Sequence, residues 1–416
     1  MFSDSGLPGS DIGSPEAWDR WIREQDQEVR SRIDRGEEDS ISNLILYGTS
    51  YTDLPRFENP ESAVTAEGTL SAGARARVHA LAKAAGTATT NERIRIVQSF
   101  LRQKRIAADH AEGFLSQNLQ RFAEEQRSYN RELDEAERSP DLDQKNLTRG
   151  TLYQSRGLSA DTSLLVNYAL EDTLRTLVEK DVIAEGTIRR IAIIGPGLDF
   201  TNKHNGYDFY PLQTIQPFAV MESVLRLKLG HRGDIAVVAM DLNPAVNAHI
   251  AKLHQDAAAG RPYTLQLPRD TGADWPTGAV SYWAHFGEII GAEAEPLPVP
   301  RMLQGGVALR AVSVAPRYAL HVTSLDLNVV AQREQLRSEQ AFDLVIATNI
   351  LVYYDRFQQA LAMANIAGMM KPGGVFLSND ALSSHHLARL RLLDRHAVSL
   401  STNGPFGDNV LAYQLK

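Results

Sequence analysis

Glycine and acidic residues follow an apolar run near the middle of this 416-residue chain, in a pattern that could bind a ligand. Residues 191–194 are apolar and lead directly into Gly195 and Gly197, and Asp199 follows. A short apolar run bounded by glycine predicts a buried parallel strand, after which glycines let the backbone turn close to a ligand. The segment predicts a nucleotide-like ligand, with a plain strand-to-helix turn as the alternative.

Further polar residues end three later predicted strands. Asp241 follows the apolar run 234–240, and a carboxylate there can accept the hydroxyl groups of a ribose. Asp241 lies 46 positions after Gly195, whereas a dinucleotide fingerprint places this acid about 20 positions on and adds a third glycine. Asp326 and Asn349 end the next two strands, with a strand-end cap and a turn-forming residue as the respective alternatives. Since parallel strands end at one edge of a sheet, one pocket could collect them.

The segment 201–216 is polar, aromatic and too long for an ordinary loop between a strand and a helix. We expect it to overhang the mouth of the pocket. A reaction whose acceptor arrives protonated needs a general base. The candidate catalytic residues are His204, Asp208 and Tyr210, and Tyr207 is a candidate substrate contact. The alternative for each of them is an ordinary residue of a surface loop that takes no part in binding or catalysis.

Arg156 and Tyr353 are further candidate binding residues, and one pair of histidines could suggest a metal site. Arg156 could clamp an acidic acceptor or a cofactor carboxylate, with a plain linker arginine as the alternative. Tyr353 is a candidate substrate contact, with packing at the start of a helix as the alternative. The adjacent pair His385 and His386 would diverge on a helix, and no further ligand stands at helical spacing, so we predict no metal site.

The composition narrows the classes of protein. A net charge of −8 argues against binding nucleic acid through phosphate contacts, and no nucleic-acid partner is expected. The chain has no cysteine, which excludes disulfides, thiolate catalysis and cysteine-ligated metals. No apolar run approaches the roughly 20 residues of a membrane helix, and the first residues lack the features of a signal peptide. We therefore expect a cytoplasmic protein without a membrane partner.

The elements that must position these residues fall into two groups. Residues 1–145 are predicted to form an all-α domain, because helical patterns recur there without a strand signal. Gly36 is predicted to end a first helix, and Asp39 or Ser40 to start a second. Further helices are expected over 70–86, 91–105 and 107–137.

Residues 146–416 alternate between predicted strands and helices. This alternation predicts a mostly parallel α/β sheet with helices on both faces, closed by a C-terminal hairpin. Residues 260–310 are rich in proline and glycine and give no clear prediction. The strands are expected over 191–194, 234–240, 320–327, 342–348 and 375–378, and the helices over about 163–180, 245–258 and 356–370.

The order of these motifs resembles the class I S-adenosylmethionine-dependent methyltransferases, and most closely their chemotaxis-receptor (CheR-like) type. The resemblance rests on the glycine turn, two acidic strand ends, FDLVIATNILVYYD, MMKPGGVFLSND and the terminal hairpin. QPFAVMESVLRL is similar to the helix after that family's glycine motif. The resemblance covers about 190–416, and GPGLDF departs from the usual glycine motif. It implies a Rossmann-like fold behind a helical N-terminal domain.

The resemblance also implies roles for individual residues. Gly195 and Gly197 would pass the methionine part of S-adenosylmethionine, and Asp199 would contact its amino group. Asp241 would hold the ribose. The remaining cofactor contacts that it implies are Leu242 on adenine, Asp326 on the adenine amino group with Leu327 beside it, and Asn349 and Ile350 near the sulfonium.

The predicted reaction is methyl transfer to an oxygen or nitrogen nucleophile on a protein carboxylate or a small molecule. In this reaction the protein has mainly to position the acceptor, because the sulfonium is already an activated methyl donor. Two alternatives stay open. One is a non-catalytic cofactor-binding or interaction protein with a degenerate methyltransferase fold. The other is a dinucleotide-dependent oxidoreductase. The oligomeric state is left open.

Overall fold

The chain begins as a helical region that packs against an α/β sheet. The computed structural model describes residues 14–138, 157–158, 163–201, 205–379, 389–404 and 406–416. In the first of these ranges Ser14 caps the first helix by accepting the Ala17 N–H at 3.3 Å, and Pro15 occupies its first turn. The helices of this region are α1 (Pro15–Tyr47), α2 (Ala72–Ala85), α3 (Glu92–Gln103) and α4 (Ala111–Arg138).

Helix α1 is continuous, so the prediction that Gly36 ends it is wrong. Gly36 is buried in the middle of the helix, where the chain at Gly157 crosses it. A Cβ on Gly157 would lie 2.5 Å from the Gly36 backbone nitrogen, and the neighbouring Leu158 N–H donates to the Arg32 carbonyl at 3.0 Å. The glycine pair therefore serves a close approach of two backbones instead of a helix end.

Within the described residues, seven strands form the main sheet in the order β6-β2-β1-β7-β8-β10-β9. The neighbours from β6 to β8 pair in parallel, and β10 pairs antiparallel with β8 and β9. This confirms the expected Rossmann-like sheet with a C-terminal antiparallel hairpin. The strands are β1 (Arg190–Ile194), β2 (Ala236–Met240), β6 (Val322–Leu325), β7 (Phe342–Ala347), β8 (Met370–Ser378), β9 (Leu390–Ser399) and β10 (Gly407–Leu415).

The segment that gave no clear prediction folds into a second sheet. Three antiparallel strands pair there in the order β3-β5-β4. Pro268 lies inside β3, which weakens the sequence signal of a strand. These strands are β3 (Tyr263–Asp270), β4 (Gly291–Ala294) and β5 (Val307–Val314), and the helices of the α/β part are α5 (Leu164–Glu179), α6 (Gln216–Arg226), α7 (Pro244–Ala258), α8 (Thr277–His285), α9 (Pro316–Ala319) and α10 (Arg356–Met369).

The buried side chains of β1 alternate between the two faces of the main sheet. Ile191 and Ile193 belong to one apolar cluster, and Ala192 and Ile194 to another. The first cluster also contains Leu44 of α1, so the helical region and the sheet share a hydrophobic core. Among the described residues, no helix has both the length and the apolar character that crossing a bilayer requires.

Candidate functional site

A cavity of about 820 Å³ lies at the carboxyl edge of the main sheet. Ile194 pairs with Met240 of β2 on one side and with Ala347 of β7 on the other. The residues that directly follow these strands, Gly195 and Asp241 among them, therefore lie side by side at the edge of the sheet and line the cavity. Strands β1 and β7 are also where the order of the sheet reverses, which is where ligands bind in open α/β sheets.

The glycine turn after β1 is left-handed at both glycines. Gly195 has φ 67° and Gly197 has φ 75°, a conformation that favours glycine. The Gly195 N–H donates to the Met240 carbonyl at 2.8 Å, which fixes the start of the turn. A Cβ on Gly195 would lie 2.2 Å from Cδ1 of Ile350, so the two sides of the cavity meet here.

Asp241 presents its carboxylate to the cavity from the end of β2. Its Oδ1 accepts the Asn243 N–H at 2.8 Å. Burial raises the pKa of Asp241 to about 6, although backbone N–H groups, that of Gly197 among them, act in the opposite direction. Hydroxyl donors from a ligand would favour the charged carboxylate. A partly buried carboxylate in this position could accept hydrogen bonds from the hydroxyl groups of a ribose.

Asn349 lines the cavity in a backbone conformation that is unusual for a residue with a side chain. Its φ is 57°, which asparagine tolerates better than most residues. Asn379, from the end of β8, accepts the Asn349 N–H at 2.7 Å and donates to its Oδ1 at 3.1 Å. Asn379 in turn donates to Asp408 at 3.1 Å. The C-terminal hairpin therefore helps to hold Asn349 at the cavity.

The end of the cavity next to β6 is covered by helix α1. Leu327 lines the cavity, but Asp326 does not. The Asp326 carboxylate instead accepts two hydrogen bonds from Arg30 of α1, at 2.8 and 3.2 Å. Asn328 donates to Asp26 of the same helix at 2.8 Å. In this structure, therefore, Asp326 holds α1 against the sheet and is not directed at the place where an adenine amino group was expected.

Asp199 and Tyr210 lie behind the cavity instead of lining it. The Tyr210 hydroxyl donates to Asp199 Oδ2 at 2.9 Å, and both side chains are almost completely buried. Burial, followed by the nearby Asp199 charge, raises the pKa of the Tyr210 hydroxyl well above its usual value. Arg93 of α3 donates to the carbonyls of Phe200, Tyr210 and Asp199. These contacts hold the start of the segment 201–216 in place, and Asp199 does not line the cavity.

Asp208 binds the helical region. Its two carboxylate oxygens accept the N–H and hydroxyl groups of Thr49 and Ser50, at distances of 2.5 to 3.1 Å. The side chain is 1% exposed and does not line the cavity. A carboxylate with four donors has little capacity left to accept a proton from a substrate. The geometry therefore gives Asp208 a structural role and offers no support for the general base expected from the sequence.

The helical region and the inserted sheet also contribute to the cavity wall. Arg56 lies over the Tyr207 ring, 5.2 Å from its centroid, and both residues line the cavity. Asp270 enters from the end of β3. Tyr207 was expected at the site, whereas sequence patterns gave no signal for Arg56 or Asp270, because these two come from separate elements that meet only in the fold. The other lining residues from the helical region include Asn43, Tyr47, Phe57, Glu58, Phe122 and Gln126.

The expected site residues thus divide into three sets. Those that the structure brings to the cavity are Gly195, Gly197, Tyr207, Asp241, Leu242, Leu327, Asn349, Ile350 and Tyr353. Those that it places outside the cavity lining are Asp199, Asp208, Tyr210 and Asp326. Those that lie outside the described residues are Arg156 and His204; the pair His385 and His386, where no metal site is expected, also lies outside them.

No protein-family model and no curated protein sequence matches the chain. The solved structures to which it is similar include three methyltransferases, which are described here and in the next paragraph. N-methyltransferase NodS from Bradyrhizobium japonicum WM9 is 11% identical over 59% of this chain and 96% of its own, with a TM-score of 0.27. Magnesium protoporphyrin IX methyltransferase ChlM from Synechocystis PCC 6803, with bound SAM, is 8% identical over 67% and 86%, also at 0.27.

The third is the glycopeptide N-methyltransferase MtfA complexed with S-adenosylmethionine. It is 8% identical over 59% of this chain and 94% of its own, with a TM-score of 0.29. Similarities at these values do not assign an activity to the chain. The resemblance to the chemotaxis-receptor type stays a prediction.

Proposed function

We propose that the protein is an S-adenosylmethionine-dependent methyltransferase. The observation that supports it most is the convergence of Gly195, Asp241 and Asn349 in one cavity at the point where the strand order reverses. These residues come from the ends of β1, β2 and β7, which the chain brings together only through the sheet. Their types match the contacts that a nucleoside with a charged tail requires.

The residues of the cavity fit this cofactor. Asp241 would hold the ribose hydroxyls, and Leu242 and Leu327 would pack on adenine. The turn from Gly195 to Gly197 would receive the methionine part. The bound cofactor supplies an electrophilic methyl group on its sulfonium. The chain itself positions the acceptor, screens the site from water and holds Asn349 and Ile350 close to the reacting end.

A small molecule is the acceptor that the cavity favours. Residues from α1 and α4 line it opposite the sheet ends, so the helical region narrows the space above the cofactor. A protein side chain would need an open groove at this position. Incubation with methyl-labelled S-adenosylmethionine and a cell extract divided by size tests this. We expect label in the small-molecule fraction, and label confined to protein would contradict it.

The dinucleotide-dependent oxidoreductase is less well supported. In its fingerprint the glycine turn opens directly into a helix and carries a third glycine. Here residues 198–215 separate the turn from α6, and Phe200 stands where the third glycine would be.

A non-catalytic cofactor-binding protein would bind the cofactor without transferring its methyl group.

Calorimetry with S-adenosylmethionine, S-adenosylhomocysteine and NAD tests the proposal. We expect both adenosyl ligands to bind in the micromolar range and NAD to bind much more weakly. If neither adenosyl ligand binds at concentrations well above micromolar, the proposal fails. Binding of both without methyl transfer to any fraction of an extract would favour the non-catalytic alternative.

A further inference from the structure

Arg56 differs from the other buried arginines of the helical region. Arg77 and Arg93 are 1% and 2% exposed, and each donates to at least three backbone carbonyls. Neither lines the cavity. Arg56 is only half-buried, donates to the carbonyls of Tyr47 and Asn205, and lines the cavity. The guanidinium groups of Arg77 and Arg93 therefore serve to hold the backbone in place, whereas that of Arg56 could also bind a ligand in the cavity.

Arg56 could offer a ligand a hydrogen-bond donor and a positive charge. Its guanidinium donates to two carbonyls through Nε and Nη2 and contacts the Tyr207 side chain, and no described carboxylate lies within 4.0 Å of it. Burial lowers the pKa of Arg56, with Asp208 and Asp270 among the more distant charges that act in the opposite direction. A partly desolvated cation without a close anion is unfavourable and attracts an anionic partner.

The surroundings of Arg56 define the shape of that partner. The rings of Tyr47, Phe57 and Tyr207 line the same end of the cavity, which suits a planar apolar body. Four acids line the cavity, namely Asp39, Glu58, Asp241 and Asp270, and none of them lies within 4.0 Å of the Arg56 guanidinium. Glu58 is exposed to solvent, and Asp270 accepts the Gly272 N–H at 2.7 Å. An anionic group on a planar molecule could therefore reach the guanidinium directly.

We propose that Arg56 anchors the methyl acceptor, and that the acceptor is a planar small molecule bearing a carboxylate or another anionic group. This identification of the acceptor class rests on the proposed methyltransferase function, whereas the anion-binding subsite does not. A guanidinium binds an anion through charge-assisted hydrogen bonds, which are stronger than its hydrogen bonds to a neutral carbonyl. Arg56 would act as an anchor, leaving the site of methylation to another part of the acceptor.

Ligand-observed NMR with three aromatic probes of the same size tests the subsite. The probes are 4-hydroxybenzoate, its neutral amide 4-hydroxybenzamide, and the cationic amine tyramine. We expect the carboxylate to bind about tenfold more tightly than either of the others, both with and without S-adenosylhomocysteine. Equal or tighter binding of the amide or the amine overturns the proposal. So does failure of the carboxylate to bind at millimolar concentration.

Variants of Arg56 assign the effect to its side chain. Arg56→Gln keeps one amide donor group but removes the charge, so the preference for the carboxylate should disappear. Arg56→Lys should retain part of that preference. The matched control is Arg310→Gln, because Arg310 also stacks on a ring, that of Trp283 at 5.5 Å, and donates to a carbonyl, but does not line the cavity. An unchanged preference in Arg56→Gln overturns the proposal.

Calorimetry of the same samples with S-adenosylhomocysteine keeps the two proposals apart. Wild-type protein that binds the carboxylate but not the adenosyl ligand would refute the methyltransferase function and leave the anion subsite standing. Wild-type protein that binds only the adenosyl ligand would refute the subsite alone. If Arg56→Gln fails to fold, the probe preference of the wild type and of Arg56→Lys decides the matter.

Discussion

Asp241 is the titratable residue on which cofactor binding is expected to depend most directly. Burial raises the pKa of Asp241 to about 6, so the carboxylate takes up a proton as the pH falls through that value. The charged form can accept a ribose hydroxyl at each of its two oxygens, whereas in the protonated form one oxygen becomes a donor. Ligand binding and proton uptake at this side chain therefore oppose each other.

We predict that the affinity for S-adenosylhomocysteine rises with pH up to about 6 and levels off above it. Below that value the loss should approach about tenfold per pH unit at most. Asp241→Asn should weaken binding at neutral pH and remove most of this dependence. Calorimetry between pH 5 and pH 8 measures both. A variant that keeps the wild-type pH dependence would show that another group is responsible.

Asp208 is expected to matter for stability more than for proton transfer. Asp208→Asn loses the charge and turns an amide donor toward the N–H and hydroxyl donors of Thr49 and Ser50. The free energy of unfolding should fall by about 2–4 kcal/mol, as when a buried charged acceptor is lost. Denaturant titration measures it, with the exposed Asp53→Asn as the control. Lost turnover at unchanged stability would instead restore Asp208 as a candidate base.

Helix α1 links the two halves of the molecule because a second segment of chain lies directly on it. The contact at Gly36 and Gly157 involves backbone atoms, which cannot move aside as a flexible side chain could. The hydrogen bond from Leu158 to Arg32 adds to it. The helix then continues to the end of the sheet, where Arg30 meets Asp326.

Gly157→Ala should therefore destabilise the protein. The added Cβ would lie 2.5 Å from a backbone nitrogen, and the overlap should cost about 1–3 kcal/mol. The control is Gly113→Ala in helix α4, where no atom lies within 4 Å of the added Cβ. That change should stabilise the protein by up to about 1 kcal/mol, because alanine favours helix. Equal melting temperatures for the two variants would contradict the close approach.

The whole molecule depends on a hydrophobic core that both halves share. Leu44 and Phe100 of the helical region belong to the same buried cluster as Phe200 and as Leu212 of the segment 201–216. Val29 of α1 is buried in the second cluster beside Ile194 of β1. The expected division at 145 falls outside the described residues and stays a prediction, but the shared core argues that neither half is independent.

A fragment spanning 157–416 tests this dependence. We expect it to bind an apolar dye more strongly than the full chain, to melt at lower temperature and to lose affinity for S-adenosylhomocysteine. The reason is that it lacks the donors of Arg93 and the partners of Asp208, which fix the loop. A monomeric fragment that melts cooperatively and binds the ligand as tightly as the full chain would refute the expectation.

The sequence was sufficient for the features that depend on neighbours along the chain. Apolar runs predicted the strands of the main sheet, and their polar ends predicted Gly195, Asp241 and Asn349 at one edge. Periodicity indicated the helices of the first half. Local signals failed at Gly36, where glycine serves a contact with a distant segment, and in 260–310, where Pro268 masked a strand.

Only the tertiary structure decided which polar residues face the cavity. Asp199, Asp208 and Asp326 carry the same carboxylate as Asp241, and Tyr210 carries a hydroxyl, but other groups of the protein already pair with them. Arg56 and Asp270 reach the cavity from elements that give no catalytic signal of their own. The physical reason is that a polar side chain is directed by whichever donors and acceptors the fold places within about 3 Å of it, and spacing along the chain does not encode these partners.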